Sequence, residues 1–119
     1  MDNVLDMSIV EELLSFADDG DPELLVDLIQ MFLADGPAKV KAITEGLEEG
    51  DFEKVERAAH SLKGTSGNLG ATHLQNSCEA MQLASRGHEL EAVRELTPTI
   101  VANYADAEAA LQKLLGSYT

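Results

Sequence analysis

The stretch HSLKGTSGNLG, residues 60–70, carries three glycines within a segment whose neighbours have helical periodicity. Glycine in the interior of a helix costs roughly 0.5–1 kcal/mol relative to alanine. Gly70 stands where a glycine would end a helix, but Gly64 and Gly67 stand inside it. The two interior positions therefore indicate that this helix keeps part of one face free of side chains.

Apolar residues on both sides of this stretch recur at intervals of three and four, the spacing of a helix with one buried face. Asp51 precedes the first of them as a candidate N-cap, and Gly70 follows the last as a C-terminal stop. The buried face of this predicted helix consists of Phe52, Val55, Ala59, Leu62, Ser66 and Leu69. It is the strongest periodic signal in the chain.

The same periodicity continues through the rest of the chain, and no stretch alternates as a half-buried strand would. Before the helix of residues 51–70 we predict a helix capped by Ser8 that ends near residues 18–20. A second helix has Asp21 as its predicted N-cap and Pro22 at its first position, and continues to Leu47 with a bend at Gly36 and Pro37. After it we predict a helix that follows Thr72 as its cap, with Gln75 completing a second capping box, and runs until Gly87 with Leu74, Cys78 and Met81 facing inward. The last predicted helix runs from Glu89 to Leu115 and is kinked or interrupted at Pro98.

Short connections between long helices predict an all-α fold, an antiparallel four-helix bundle with a short additional N-terminal helix. The length of 119 residues, 45% of them hydrophobic, suits one compact domain over residues 1–119.

The charge and the hydropathy pattern narrow the classes of partner. A formal net charge of −14 leaves no positive footprint for a nucleic acid or an anionic membrane surface. The sequence has neither a signal peptide nor an apolar run of the roughly 18 residues that cross a membrane, so we expect a cytoplasmic protein. The single Cys78 can form no internal disulfide, and we expect it to be a small core residue.

His60 is chemically the most informative residue of the predicted third helix. At about 100° per residue, Lys63, Gly64 and Gly67 lie within roughly 60° of it, beside the buried face. No Asp or Glu occurs in residues 57–78, although the chain has 22 acidic residues. A phosphoryl group would favour such surroundings, because carboxylates repel it and a lysine stabilises it. The alternative is a surface histidine beside flexible glycines, in a segment that lacks acids by sampling fluctuation.

Residues 60–70 closely resemble the H-x-L-K-G-x-S-x-x-x-G signature of histidine-containing phosphotransfer (HPt) domains. Two alanines often precede the histidine in that family, as Ala58 and Ala59 do in this chain. The resemblance extends across nearly the whole chain. It implies that His60 accepts a phosphoryl group on its outer ring nitrogen from a receiver-domain aspartate and passes it to another receiver. It implies no ATP site, and the sequence contains no phosphate-binding loop or kinase motif.

The resemblance also implies roles for further residues and partners. Gln82 matches the family's Gln or Glu that orients the imidazole, Lys63 lies within the signature, and Arg86 is an auxiliary phosphate contact. The partners would be response-regulator receiver domains and a hybrid sensor kinase, with Mg²⁺ on the receiver, no cofactor on this chain and the chain a monomer. Apart from the resemblance, we expect a docking surface that comprises Gly64, Gly67, Arg86, Ile9, Leu13 and Met31.

Other interpretations stay open at this point. A degenerate HPt-like scaffold would bind receivers without transferring phosphate, although the intact His60 and Lys63 disfavour it. A metal-binding bundle needs Glu-x-x-His pairs, and none occurs. For Gln82, the alternative to orienting the imidazole is to be a plain surface glutamine. We expect His73 and His88 to be solvated, and the residues expected mainly to fill the core are Met7, Met31 and Met81.

Overall fold

Five α-helices make up the regular structure of the computed structural model, which describes residues 4–16 and 21–118. They are α1 (Met7–Ser15), α2 (Glu23–Glu49), α3 (Phe52–Asn68), α4 (Thr72–Arg86) and α5 (Leu90–Gly116). Helices α2 to α5 each pack on the next, and α5 closes the ring on α2, whereas α1 lies against α2. The predicted all-α bundle with a short extra N-terminal helix is therefore confirmed.

The core lies inside the ring of four helices and is built from the predicted apolar stripes. In α3, Val55, Ala59 and Leu62 are at most 1% exposed, while Phe52 at the start of the stripe is half-buried. In α4 the three residues expected to face inward are all buried: Leu74, Cys78 and Met81. Complete burial of an aliphatic side chain stabilises the fold by about 1.5–3 kcal/mol, so these stripes fix the orientation of every helix.

The start of α3 is as predicted, and three other predicted caps differ. The Asp51 carboxylate accepts the backbone N–H of Lys54 at 3.0 Å. In α1 the cap is Asp6 rather than Ser8, because the Asp6 carboxylate reaches the Ser8 N–H at 3.0 Å. Thr72 is the first residue of α4 and not its cap, a position that Ala71 occupies. The α2 cap falls on Pro22, although the Asp21 carboxylate still accepts the Glu23 N–H at 3.0 Å.

The predicted helix ends and breaks agree with the structure only in part. The stop expected near residues 18–20 lies outside the described residues, and α1 ends at Ser15. Pro37 and Pro98 are exposed, and α2 and α5 run through them, so Pro98 does not interrupt α5. Gly36 has a packing role, since a Cβ atom there would lie 2.6 Å from Cε2 of the buried Tyr104.

Gly70 ends α3 and also anchors α1. Its φ is +77°, and the N–H of Ala71 bonds back to the carbonyl of Ser66 at 2.9 Å, which closes the helix in a Schellman turn. The Gly70 carbonyl accepts the N–H of Asp6 at 2.7 Å, directly before α1 begins. A single glycine therefore joins the end of the histidine-bearing helix to the start of α1.

We predict that Gly70→Ala lowers the free energy of unfolding by at least about 1–2 kcal/mol, the cost of a left-handed conformation for a residue with a side chain. The added Cβ would also lie 2.7 Å from the Asp6 backbone oxygen. Gly64→Ala is the matched control, because nothing lies within 4 Å of its Cβ position. Urea denaturation of both variants tests this, and equal midpoints would contradict it.

The buried Cys78 gives the bundle a pH dependence at high pH. Burial raises the pKa of the thiol from 9.0 to about 12, whereas the thiol of the unfolded chain ionises near 9. Above pH 9 the unfolded state therefore binds fewer protons, so stability that is fully present below pH 9 is lost as the pH rises towards 12. We expect Cys78→Ala to have a flatter decline in denaturation midpoint over that range, and identical slopes would contradict this.

Candidate functional site

His60 stands in the middle of α3 with its side chain exposed. Its position follows from the stripe on the opposite side, because burial of Ala59, Leu62 and Ser66 turns residue 60 outwards. The imidazole is therefore held on a rigid helix but open to an approaching protein.

Gln82 of α4 is the protein group that meets the imidazole. It is only 8% exposed, and its Nε2 atom lies 3.1 Å from His60 Nδ1. Within the described residues neither ring nitrogen makes another hydrogen bond. The contact fixes the inner nitrogen Nδ1 against α4 and leaves Nε2 as the nitrogen open to solvent.

Two hydrogen-bonding arrangements of this pair are chemically possible. With the amide nitrogen facing Nδ1, Gln82 donates and the imidazole proton resides on the outer Nε2. Rotating the amide by about 180° lets its oxygen accept an Nδ1 proton, which leaves the Nε2 lone pair pointing outwards. Only the second arrangement makes the exposed nitrogen nucleophilic, so Gln82 is placed to control which tautomer is present.

The contacts between α3 and α4 share one antiparallel register. One turn before His60, Glu56 accepts a hydrogen bond from Arg86, which lies one turn after Gln82, with 2.9 Å between Oε2 and Nε. In the other direction, Gly67 packs against Gln75. The pairs follow at intervals of one or two turns, so the imidazole has an ion pair on one side and a glycine contact on the other.

The charges around His60 differ from the predicted carboxylate-free surroundings. The run without acids in residues 57–78 does not give carboxylate-free surroundings, because Glu56 is one helical turn from His60. The Arg86 guanidinium pairs with that carboxylate. Lys63, also one turn from His60, is half-exposed and makes no ion pair with any residue in the described ranges. Lys63 is therefore the unpaired cation beside the imidazole.

The two interior glycines of α3 have different surroundings. A Cβ atom at Gly64 would meet no atom within 4 Å, so this position is open to solvent. A Cβ atom at Gly67 would lie 2.7 Å from Nε2 of Gln75. The space beside Gly67 is therefore partly taken by the end of the flexible Gln75 side chain, although Gly67 itself is half-exposed, and its role in docking a partner stays a prediction.

A groove of about 460 Å³ runs between α2 and α3 on one side of the site. Met31 lines it together with Ser61 and Thr65, which follow His60 on α3. Ile9 and Leu13 are half-buried on α1 and do not line this groove. Of the candidates for an apolar docking patch, which are Met31 and the α1 residues Ile9 and Leu13, only Met31 lines the groove beside the histidine.

Several other residues differ from their predicted surroundings. Met31 is 60% exposed and Met7 is 46% exposed, so neither fills the core, unlike Met81. His88 is exposed but not merely solvated, because its ring stacks on Phe52 with centroids 4.7 Å apart. Its backbone has a positive φ of 53° directly after α4. His73 is exposed, as expected.

Metal-binding clusters and membrane-spanning helices are both absent from residues 4–16 and 21–118. No group of three or more His, Cys, Asp and Glu side chains is arranged there to hold a metal ion. None of the helices there combines the length and the apolarity that a membrane-spanning segment requires.

His60 lies on an open helix face of the bundle and contacts Gln82 of the neighbouring helix α4. The family model of the Hpt domain matches residues 27–115, which include His60 and the helices that support it. The chain therefore belongs to the Hpt domain family.

The relatives of this chain include a bacterial structure and longer eukaryotic proteins. Histidine-containing phosphotransfer protein B from Pseudomonas aeruginosa has the same fold, with a TM-score of 0.87 at 23% identity over 100% of both chains. Histidine-containing phosphotransfer protein 5 from Arabidopsis thaliana is 30% identical over 56% of this chain and 45% of its own length. Multistep phosphorelay regulator 1 from Schizosaccharomyces pombe is 28% identical over 66% of this chain and 27% of its own length. The chain spans less than half the length of these two curated relatives.

Proposed function

We propose that this protein is a phosphotransfer intermediate of a two-component phosphorelay. His60 accepts a phosphoryl group from the aspartyl phosphate of one receiver domain and passes it to the aspartate of another. The observation that supports this most directly is the exposed imidazole whose inner nitrogen is 3.1 Å from a buried glutamine. A hybrid sensor kinase would supply the first receiver.

The transfer forms one bond and breaks one. The Nε2 lone pair of His60 attacks phosphorus, and the bond from phosphorus to the aspartate oxygen breaks, with its electron pair staying on the carboxylate. The proton on Nδ1 stays in place, and the Gln82 carbonyl oxygen accepts its hydrogen bond. In the second transfer an aspartate oxygen of another receiver attacks phosphorus, and the bond from phosphorus to Nε2 breaks, with its electron pair staying on the imidazole.

Charge neutralisation is divided between the two proteins. On this chain Lys63 is one turn from His60 without a competing carboxylate, and it is the cation best placed to contact the transferred group. The Mg²⁺ ion and the remaining positive charge belong to the receiver, because phosphoryl transfer depends mainly on positioning and electrostatic stabilisation. This chain, a monomer without its own cofactor, contributes the nucleophile and the surface that docks the receiver.

The docking surface combines the open position at Gly64 with the neighbouring groove between α2 and α3. Met31 supplies exposed apolar area at the groove, while Gly64 removes the side chain that would stand nearest to the incoming aspartate. The first-helix residues Ile9 and Leu13 would contribute only if a receiver also extended over α1.

The test is to incubate the purified protein with a receiver domain carrying radiolabelled aspartyl phosphate. We expect acid-labile, alkali-stable label to appear on this chain while the receiver loses it. ATP and Mg²⁺ without other proteins should transfer no label. Labelling from ATP alone would contradict the assignment as a carrier, and absence of label with every receiver of the source organism would favour the scaffold interpretation.

A further inference from the structure

The ion pair beside the imidazole belongs to the same helix interface as the histidine itself. Arg86 Nε and Glu56 Oε2 are 2.9 Å apart, and the pair lies one turn from the contact between His60 and Gln82. Of the ion pairs in the described ranges, this is the one that joins α3 to α4. The guanidinium is therefore held next to the group that is proposed to carry the phosphoryl.

The ion pair is exposed enough for Arg86 to change its partner from Glu56 to another anion. The Arg86 side chain is 58% exposed and the Glu56 side chain 29% exposed, and ion pairs that face solvent to this extent contribute little to stability. A phosphoryl group carries close to two negative charges and three strong acceptor oxygens, so it competes well against one carboxylate for the planar guanidinium.

Lys63 and Glu79 are further charged groups within one turn of His60 or Gln82, and Lys63 would contact the phosphoryl group alongside Arg86. Lys63 on α3 has no carboxylate partner, and Glu79 on α4 is exposed without an ion pair in the described ranges. A phosphoryl group on His60 Nε2 would face Glu56 across a single helical turn. Between two anions at similar distances, the guanidinium is attracted more strongly by the one with the larger negative charge, which is the phosphoryl group.

We propose that Glu56 acts as a placeholder for the phosphoryl group. In the unphosphorylated protein it holds Arg86 beside the imidazole, and after transfer Arg86 leaves Glu56 and binds the phosphoryl group on His60. The unpaired Glu56 carboxylate then faces the phosphoryl group and favours its departure to the next receiver. This inference rests on the proposed function, because it requires phosphorylation of His60.

The test uses phosphoramidate, a small donor that phosphorylates histidine without any receiver, and nuclear magnetic resonance of the Arg86 side chain. We expect the Arg86 Nε–H signal to move on phosphorylation of the wild-type protein. Glu56→Gln should move it before phosphorylation, and Glu53→Gln should not. Glu53 is the matched control, since it is an α3 carboxylate paired with Arg57 within its own helix.

A ³¹P titration of the phosphorylated proteins gives a readout that a purely structural ion pair would not change. Arg86→Gln should raise the pKa of the phosphoryl group by about half a pH unit or more, because a nearby cation favours the dianion. An Arg86 signal that stays unchanged, or an Arg86→Gln protein that titrates as wild type, would overturn the placeholder role alone. Absence of label at His60 would overturn the proposed function as well.

Discussion

His60→Gln is expected to abolish phosphorylation by a phosphorylated receiver while the bundle stays folded. The imidazole is exposed and its hydrogen bond is to Gln82, so its replacement removes the nucleophile without opening the core. Phosphotransfer assays with radiolabelled receiver measure the loss, and circular dichroism checks the fold.

His73→Gln is the matched control for this experiment. His73 is an exposed histidine of α4, and the hydrogen bond that Asn103 donates to it reaches its backbone carbonyl, 3.2 Å away, rather than its ring. This variant should be labelled as the wild type is. Acid-labile phosphate retained by the His60→Gln protein would show that another residue carries the phosphoryl group.

Gly64→Gln is expected to reduce transfer from a receiver about 100-fold, the scale of loss when reacting groups are held slightly out of place. The position is exposed, one turn from His60, and nothing occupies the space of its missing side chain. A glutamine there would stand between the imidazole and the incoming aspartate. Transfer rates from a phosphorylated receiver measure the effect.

Two comparisons show whether steric clearance is the cause. Gly64→Ala should keep most of the transfer rate and raise stability by up to about 1 kcal/mol, since alanine is the better helix former. Phosphoramidate is small, so it should label Gly64→Gln as fast as wild type. Transfer from the receiver to Gly64→Gln at the wild-type rate would rule out clearance, and unfolding of Gly64→Ala would indicate a backbone requirement.

The helices could be predicted because each buries one continuous apolar stripe, and that property depends only on spacing within the helix. The stripe through Val55, Ala59 and Leu62 is buried as its period predicts. Helix starts were less predictable because neighbouring oxygen atoms compete for the same N–H groups. The Asp6 carboxylate takes the amide of Ser8, so the capping pattern that begins at Ser8 is not used.

Contacts between helices could not be predicted from the residues alone, because they depend on the register of α3 against α4. The resemblance to the family placed Gln82 opposite His60, and the structure brings the two within hydrogen-bonding distance. Nothing local marks Glu56 and Arg86, 30 positions apart, as partners. Glu56 itself follows from the spacing, four residues before His60 on the same helix, and was overlooked because the acid-free run begins at residue 57; only its pairing with Arg86 required the structure.

The surroundings of Gly67 could not be predicted for the same reason. Its spacing from His60 places both on one face of α3, but Gln75 of α4 fills the space beside it. The spacing alone does not distinguish a glycine that faces solvent from one that faces a neighbouring helix. Gly64 and Gly67 can be distinguished only when the position of α4 is known.

The most direct test of the proposed function is to locate the phosphoryl group on the imidazole. The protein, labelled with ¹⁵N at histidine, would be phosphorylated by a receiver domain and examined by proton–nitrogen correlation spectra with phosphorus coupling. Because Nδ1 faces the buried Gln82, we expect phosphorus to couple to Nε2 of His60 and the proton to remain on Nδ1. Coupling to Nδ1, or phosphate on any other residue, would contradict the proposed mechanism.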